Sequence, residues 1–67
     1  MYSIEFKNQT LNHADVIGWN LTSGKAGVWS GLYGERAYFP LRSEANKFIR
    51  ILMASGYSTE NMVIVKY

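Results

Sequence analysis

The residues able to do chemistry are few and far apart. The sole histidine, His13, stands two positions before Asp15 in a polar stretch. A nucleophilic site would add a serine or threonine hydroxyl within hydrogen-bond reach of the imidazole, with Asp15 orienting the ring. No motif surrounds the pair to bring one there, so His13 and Asp15 read as surface-loop residues. The same two side chains fall short of the three or four ligands that zinc takes. The carboxylates are Glu5, Asp15, Glu35, Glu44 and Glu60, each beside polar or turn residues. Nothing in their spacing forces two of them together for acid–base work, and each reads as a solvated charge. Ser23-Gly24-Lys25 carries the glycine–lysine pair of a phosphate loop, but the upstream Gly18 is one residue too distant and Ala26 stands where a hydroxyl should bind magnesium. With no cysteine in the chain, a thiolate metal site, a disulfide scaffold and a cysteine nucleophile are all excluded. The expectation is a protein that is not an enzyme and holds no metal or cofactor.

Binding chemistry is better represented. Ten of the 67 residues are aromatic, more than a single helix on one face of a sheet can cover. Tyr33, Arg36, Tyr38 and Phe39 interleave rings with a cation, and Arg42, Lys47 and Arg50 follow. Tyr, Trp and Arg dominate the energetic centres of protein interfaces. The same mixture, with rings for stacking and cations for phosphates, is what single-strand nucleic-acid binders display. Against nucleic acid stand a net charge of only +2, the interrupting Glu35 and Glu44, and the lack of an arginine-glycine-aromatic signature run. The plainer alternative is that the rings fill or rim the core and the cations line a solvated helix face. Trp29, Tyr33, Arg36 and Tyr38, extended by Arg42, Lys47 and Arg50, are the candidate binding residues.

Local patterning says what must carry these side chains. From Ser43 to Ser55 the apolar residues Ala45, Phe48, Ile49, Leu52 and Met53 fall at the spacing of a core-facing helix. Ser43 suits the N-cap, Glu44 the positive end of the helix dipole, and Gly56 the left-handed position past the C-terminus, with Tyr57 folding back on Leu52. Tyr2, Ile4 and Phe6 alternate with Ser3, Glu5 and Lys7, as a half-buried strand does. Met62 to Tyr67 is β-branched on both faces, which predicts a strand that is central or covered on its second side. Between them, Val16–Thr22 reads as a strand, with a short helix over Ala14, Ile17 and Leu21 as the alternative. Asn8–Asp15 reads as a loop. Gly27–Tyr33 and Arg36–Phe39 read as strands joined by a tight Gly34-Glu35 hairpin turn. That turn would pair Tyr33 with Arg36 and set Trp29, Gly31 and Tyr33 on one face.

The sum is one α+β domain over residues 1–67. It has the order β-β-β-β-α-β, an antiparallel sheet of four to five strands and one helix packed on one face. A chain this short buries roughly 60% of its unfolded surface, and without disulfides or a metal a homodimer gains weight. No apolar run is long enough for a membrane helix and no signal peptide is evident, which points to the cytoplasm. The expected function is a protein-binding module working through an aromatic and basic sheet surface. By analogy of size alone it would be a phage- or mobile-element-type inhibitor of a larger host enzyme or defence complex. The alternative is a single-stranded nucleic-acid binder using the same surface.

Overall fold

The computed structural model describes residues 1–7 and 15–67. Its strands are β1 (Tyr2–Phe6), β2 (Asp15–Asn20), β3 (Ala26–Ser30), β4 (Gly34–Arg36), β5 (Tyr38–Phe39) and β6 (Met62–Lys66). One helix, α1 (Arg42–Ala54), lies between β5 and β6. The α+β class holds. The single sheet expected from the sequence is instead two antiparallel sheets of three strands, ordered β5-β1-β6 and β3-β2-β4.

The division has one cause, a corner at Ala37. Its amide still donates to the Ile17 carbonyl of the second sheet at 3.2 Å. Its carbonyl accepts the Ser3 hydroxyl of the first sheet at 2.8 Å. A strand that switches sheets in this way turns the expected Arg36–Phe39 run into β4 and β5. Ala37 is 1% exposed, so a methyl group is about all the corner accommodates. Ser3 is fully buried, and the bond to Ala37 satisfies its hydroxyl.

The expected Gly34-Glu35 hairpin does not form. Both β3 and β4 pair antiparallel with β2, one on each side, so they run parallel to each other. The chain instead turns at Ser30–Tyr33, where the Tyr33 amide donates to the Ser30 carbonyl at 2.8 Å, and crosses to the far side of β2. Gly34 then sits against the Trp29 Cβ and a Val16 methyl, positions a side chain of its own would occupy. Gly18 faces the backbone of β4 so closely that a Cβ would overlap the Glu35 carbonyl and the Ala37 amide. The segment from Val16 is a strand rather than a helix, and it ends at Asn20. There the Asn20 side chain accepts the amides of Thr22 and Ser23 at 2.9 and 2.8 Å, building the loop into β3. Asp15, expected in a loop, opens β2, and residues 8–14, with the His13 reading, lie outside the described residues.

The helix begins one residue early, at Arg42. Leu41 occupies the cap with extended backbone and no side-chain bond, so Ser43 is not the N-cap. Its far end follows the sequence closely. Gly56 has φ 97°, its amide donates to the Met53 carbonyl at 3.1 Å, and the Tyr57 amide donates to the Leu52 carbonyl at 3.1 Å. That pair of bonds is the Schellman ending, and Tyr57 packs on the core as such endings favour.

Ala45, Phe48 and Leu52 are the buried stripe of α1, with Ile49 half-buried; Met53, expected on that stripe, is 59% exposed. The stripe meets Ile4, Ile17, Ala37 and Met62 in one core, lined by Tyr2, Phe6, Val28, Phe39 and Ile64 among others. Phe48 is its hinge-point, with the Phe39 ring at 5.3 Å and the Trp19 ring edge-on at 5.0 Å. One aromatic thus touches both sheets.

Candidate functional site

Register fixes which residues leave the core. Directly opposed residues of an antiparallel pair share a face, and faces alternate along each strand. Tyr2 opposes Phe39 and Lys66, Ile4 opposes Ile64, and Phe6 opposes Met62, which makes the inner, helix-covered face. Ser3 opposes Tyr38 and Val65, and Glu5 opposes Val63, on the outer face. The corner covers Ser3. The remainder of that face carries the candidate site.

Four side chains meet there. The Arg36 Nη1 donates to Glu5 Oε2 at 3.0 Å and to the Tyr67 hydroxyl oxygen at 2.6 Å. The Tyr67 hydroxyl in turn donates to the same Glu5 oxygen. Tyr38 then packs edge-on to Tyr67, with ring centroids 5.8 Å apart. Half-buried Arg36 and Glu5 thus form an ion pair between the sheets, and two tyrosines rest on it with about half of each exposed. The Glu5 carboxylate, accepting this hydrogen bond, holds the Tyr67 hydroxyl protonated above the usual tyrosine range. Desolvation adds a little to that effect, and the Arg36 charge opposes it.

No family model, characterised protein or solved structure matches this chain.

The residues singled out from the sequence separate into three groups. Arg36 and Tyr38 come together, as neighbours of Glu5 and Tyr67 rather than of Tyr33. Tyr33 lies in the turn after β3, 64% exposed, and does not oppose Arg36, whose partner in register is Gly18. Trp29 is half-buried against Gly27 and Gly34, with its indole N–H donated to the Lys25 carbonyl at 3.1 Å. Arg42, Lys47 and Arg50 are exposed on the helix, whose buried stripe rests on the inner face. The expected single surface of rings and cations is therefore divided, because the first sheet lies between Tyr38 and the helix's solvent side.

Sequence reasoning missed Glu5 as a partner and Tyr67 as a site residue. Glu5 stands 31 positions from Arg36 and 62 from Tyr67. Alternation along β1 places Glu5 opposite the core-facing Ile4 and Phe6, but only the strand order β5-β1-β6 shows what stands beside it. A second apolar group, Leu21, Leu32 and Tyr33, is exposed around the loops of the second sheet, where the Leu21 amide donates to the Tyr33 carbonyl at 2.8 Å.

Among the described residues no cluster of three metal-ligating side chains occurs, and no helix is long and apolar enough to cross a membrane.

Proposed function

We propose that this protein is a non-enzymatic binding module that engages another protein through the outer face of β5-β1-β6. The observation that supports it best is the pair of exposed tyrosines, Tyr38 and Tyr67, seated on the Glu5–Arg36 ion pair. Rigid rings with little rotamer freedom lose little entropy on binding, and a partly desolvated arginine beside them is the usual companion at interface centres. Arg36 uses Nη1 for both of its contacts, which leaves Nε and Nη2 to meet a partner's carbonyls or carboxylate.

The Glu5 carboxylate bears on the class of partner. It neutralises the Arg36 charge beside the rings and repels a phosphate backbone, which supports a protein partner over single-stranded nucleic acid. The nucleic-acid reading rests on the exposed, helix-borne Arg42, Lys47 and Arg50. A cytoplasmic inhibitor of a larger host enzyme or defence complex, of the phage or mobile-element kind, is the biological role that fits a module of this size.

The test is capture of a partner by the tagged protein from nuclease-treated and untreated lysate, alongside Tyr38→Ala and Arg36→Ala. Nuclease-resistant capture that both variants lose, with Tyr38→Ala still folded and its thermal midpoint lowered by only a few degrees, supports the reading. Capture that disappears with nuclease treatment sinks it.

A further inference from the structure

The sequence of β6, apolar on both faces, predicts a central or covered strand; among the described residues it is an edge strand paired with β1 alone. Its ladder shows which groups that edge presents. The Tyr67 amide donates to the Met1 carbonyl at 2.8 Å and the Lys7 amide to the Asn61 carbonyl at 2.6 Å. Bonded and non-bonded pairs alternate along an antiparallel ladder. Asn61, Val63, Val65 and Tyr67 therefore turn their backbone groups toward β1, and Met62, Ile64 and Lys66 turn theirs away. The Met62 amide is taken by the Thr59 carbonyl at 3.1 Å. What remains outward is the amides of Ile64 and Lys66 and the carbonyls of Met62, Ile64 and Lys66, on a strand of Met-Val-Ile-Val-Lys with its one charge at the end. An edge of this kind is a template for another strand.

We propose that the occupant is a second copy of this chain, joined β6 to β6 in antiparallel fashion. Charge selects the register. Glu60 and Lys66 are exposed and flank the apolar stretch with opposite signs. An antiparallel copy reverses that order and brings Lys66 opposite the partner's Glu60, with Val63 on the two-fold axis. In that register the Ile64 amide donates to the partner's Met62 carbonyl, and symmetry repeats the bond; Glu60, in the Thr59–Met62 turn just before the strand, meets the partner's Lys66 through its side chain. The two three-stranded sheets become one of six, β5-β1-β6 continued by its own mirror order. The half-buried Val63 and Val65 then gain cross-strand neighbours on the outer face. This contact runs along the strand edge and does not depend on the binding role of Tyr38 and Tyr67.

The experiment is sedimentation of the full chain across the micromolar range for the wild type, Glu60→Lys, Lys66→Glu and the double exchange. Each single variant sets like charges together at two symmetric places, so its dimer should weaken by about tenfold or more. The double variant restores opposite signs and should return to the wild-type constant. A monomeric wild type overturns the proposal, as do single variants that dimerise unchanged or a double variant that fails to recover. Hydrogen exchange gives a second reading that needs no substitution. Protection of the Ile64 amide, which has no partner within β1–β6 pairing, should rise with concentration by more than the general gain that dimerisation gives every folded amide. Concentration-independent exchange at Ile64 overturns it equally.

Discussion

The two faces of β5-β1-β6 use the same three strands for opposite purposes. The inner face sets Tyr2, Ile4, Phe6, Met62, Ile64 and Phe39 beneath α1, where each side chain meets apolar atoms and shape is what matters. The outer face carries half-buried Glu5, Val63 and Val65 with the exposed Tyr38 and Tyr67, and specific polar bonds hold Glu5 and Tyr67 to Arg36. Stability should therefore reside on the first face and recognition on the second. A fold of this size can keep the two apart because alternation sends successive residues of one strand to different tasks.

The largest effect should come from the inner side. Leu52→Ala empties a fully buried position of the helix stripe and should cost about 2–5 kcal/mol in a denaturant titration. Ser55→Ala, at the exposed end of the same helix, should stay within about 0.5 kcal/mol. Equal midpoints for the two would dissolve the distinction between the faces at its strongest point.

Next is the one place where the outer face is buried. Ser3→Ala leaves the Ala37 carbonyl without its donor at the corner, and a buried acceptor left unpaired costs about 1–3 kcal/mol. A loss below about 0.5 kcal/mol would mean that water replaces the hydroxyl and that the corner is open to solvent.

On the exposed part of that face the expected changes are small. Tyr38→Ala removes an edge-to-face contact with Tyr67 and should shift stability by about 0.5–1 kcal/mol. A loss as large as that of Leu52→Ala would show that the face belongs to the core, and the binding surface would have to be sought on the helix.

The smallest effect is a slope with pH. Tyr67 keeps its proton more tightly folded than unfolded, because its hydroxyl donates to the Glu5 carboxylate. The folded state thus binds more protons in the alkaline window that opens near the ordinary tyrosine value of 10.0, and stability falls as pH rises through it. Tyr67→Phe removes that contribution, so its alkaline decline should be shallower than that of the wild type. Identical slopes would mean the bond does not persist in solution.

The comparison also explains what could be read from the sequence. The helix and its Gly56 ending rest on neighbours within one or two turns, and the apolar spacing around Phe48 and Leu52 states them openly. The alternation of β1 and the β-branched run of β6 are equally local. Ser43 misled because a polar cap is only one way to start a helix; after Pro40, the extended Leu41 serves, its carbonyl accepting the Glu44 and Ala45 amides at 3.1 and 3.4 Å. The division into two sheets depends on a bond between residues 34 positions apart, and no local pattern around Ala37 announces it. The site fared likewise. Arg36 and Tyr38 stand out by type, but their anchors Glu5 and Tyr67 come from opposite ends of the sequence, where only strand pairing joins them.

Ala37 has a consequence for how the molecule opens. A protein with two small sheets could unzip one and keep the other, giving two exchange regimes and two unfolding units. Here a single residue is bonded to both sheets, and pulling it from the Ile17 carbonyl also pulls on the Ser3 hydroxyl. Brief local openings at the corner are thereby suppressed, and the slowest-exchanging amides of both sheets should report one common free energy, that of losing the whole structure at once. Two sheets tied at one alanine, and again through Phe48 and the Glu5–Arg36 pair, behave as a single cooperative unit.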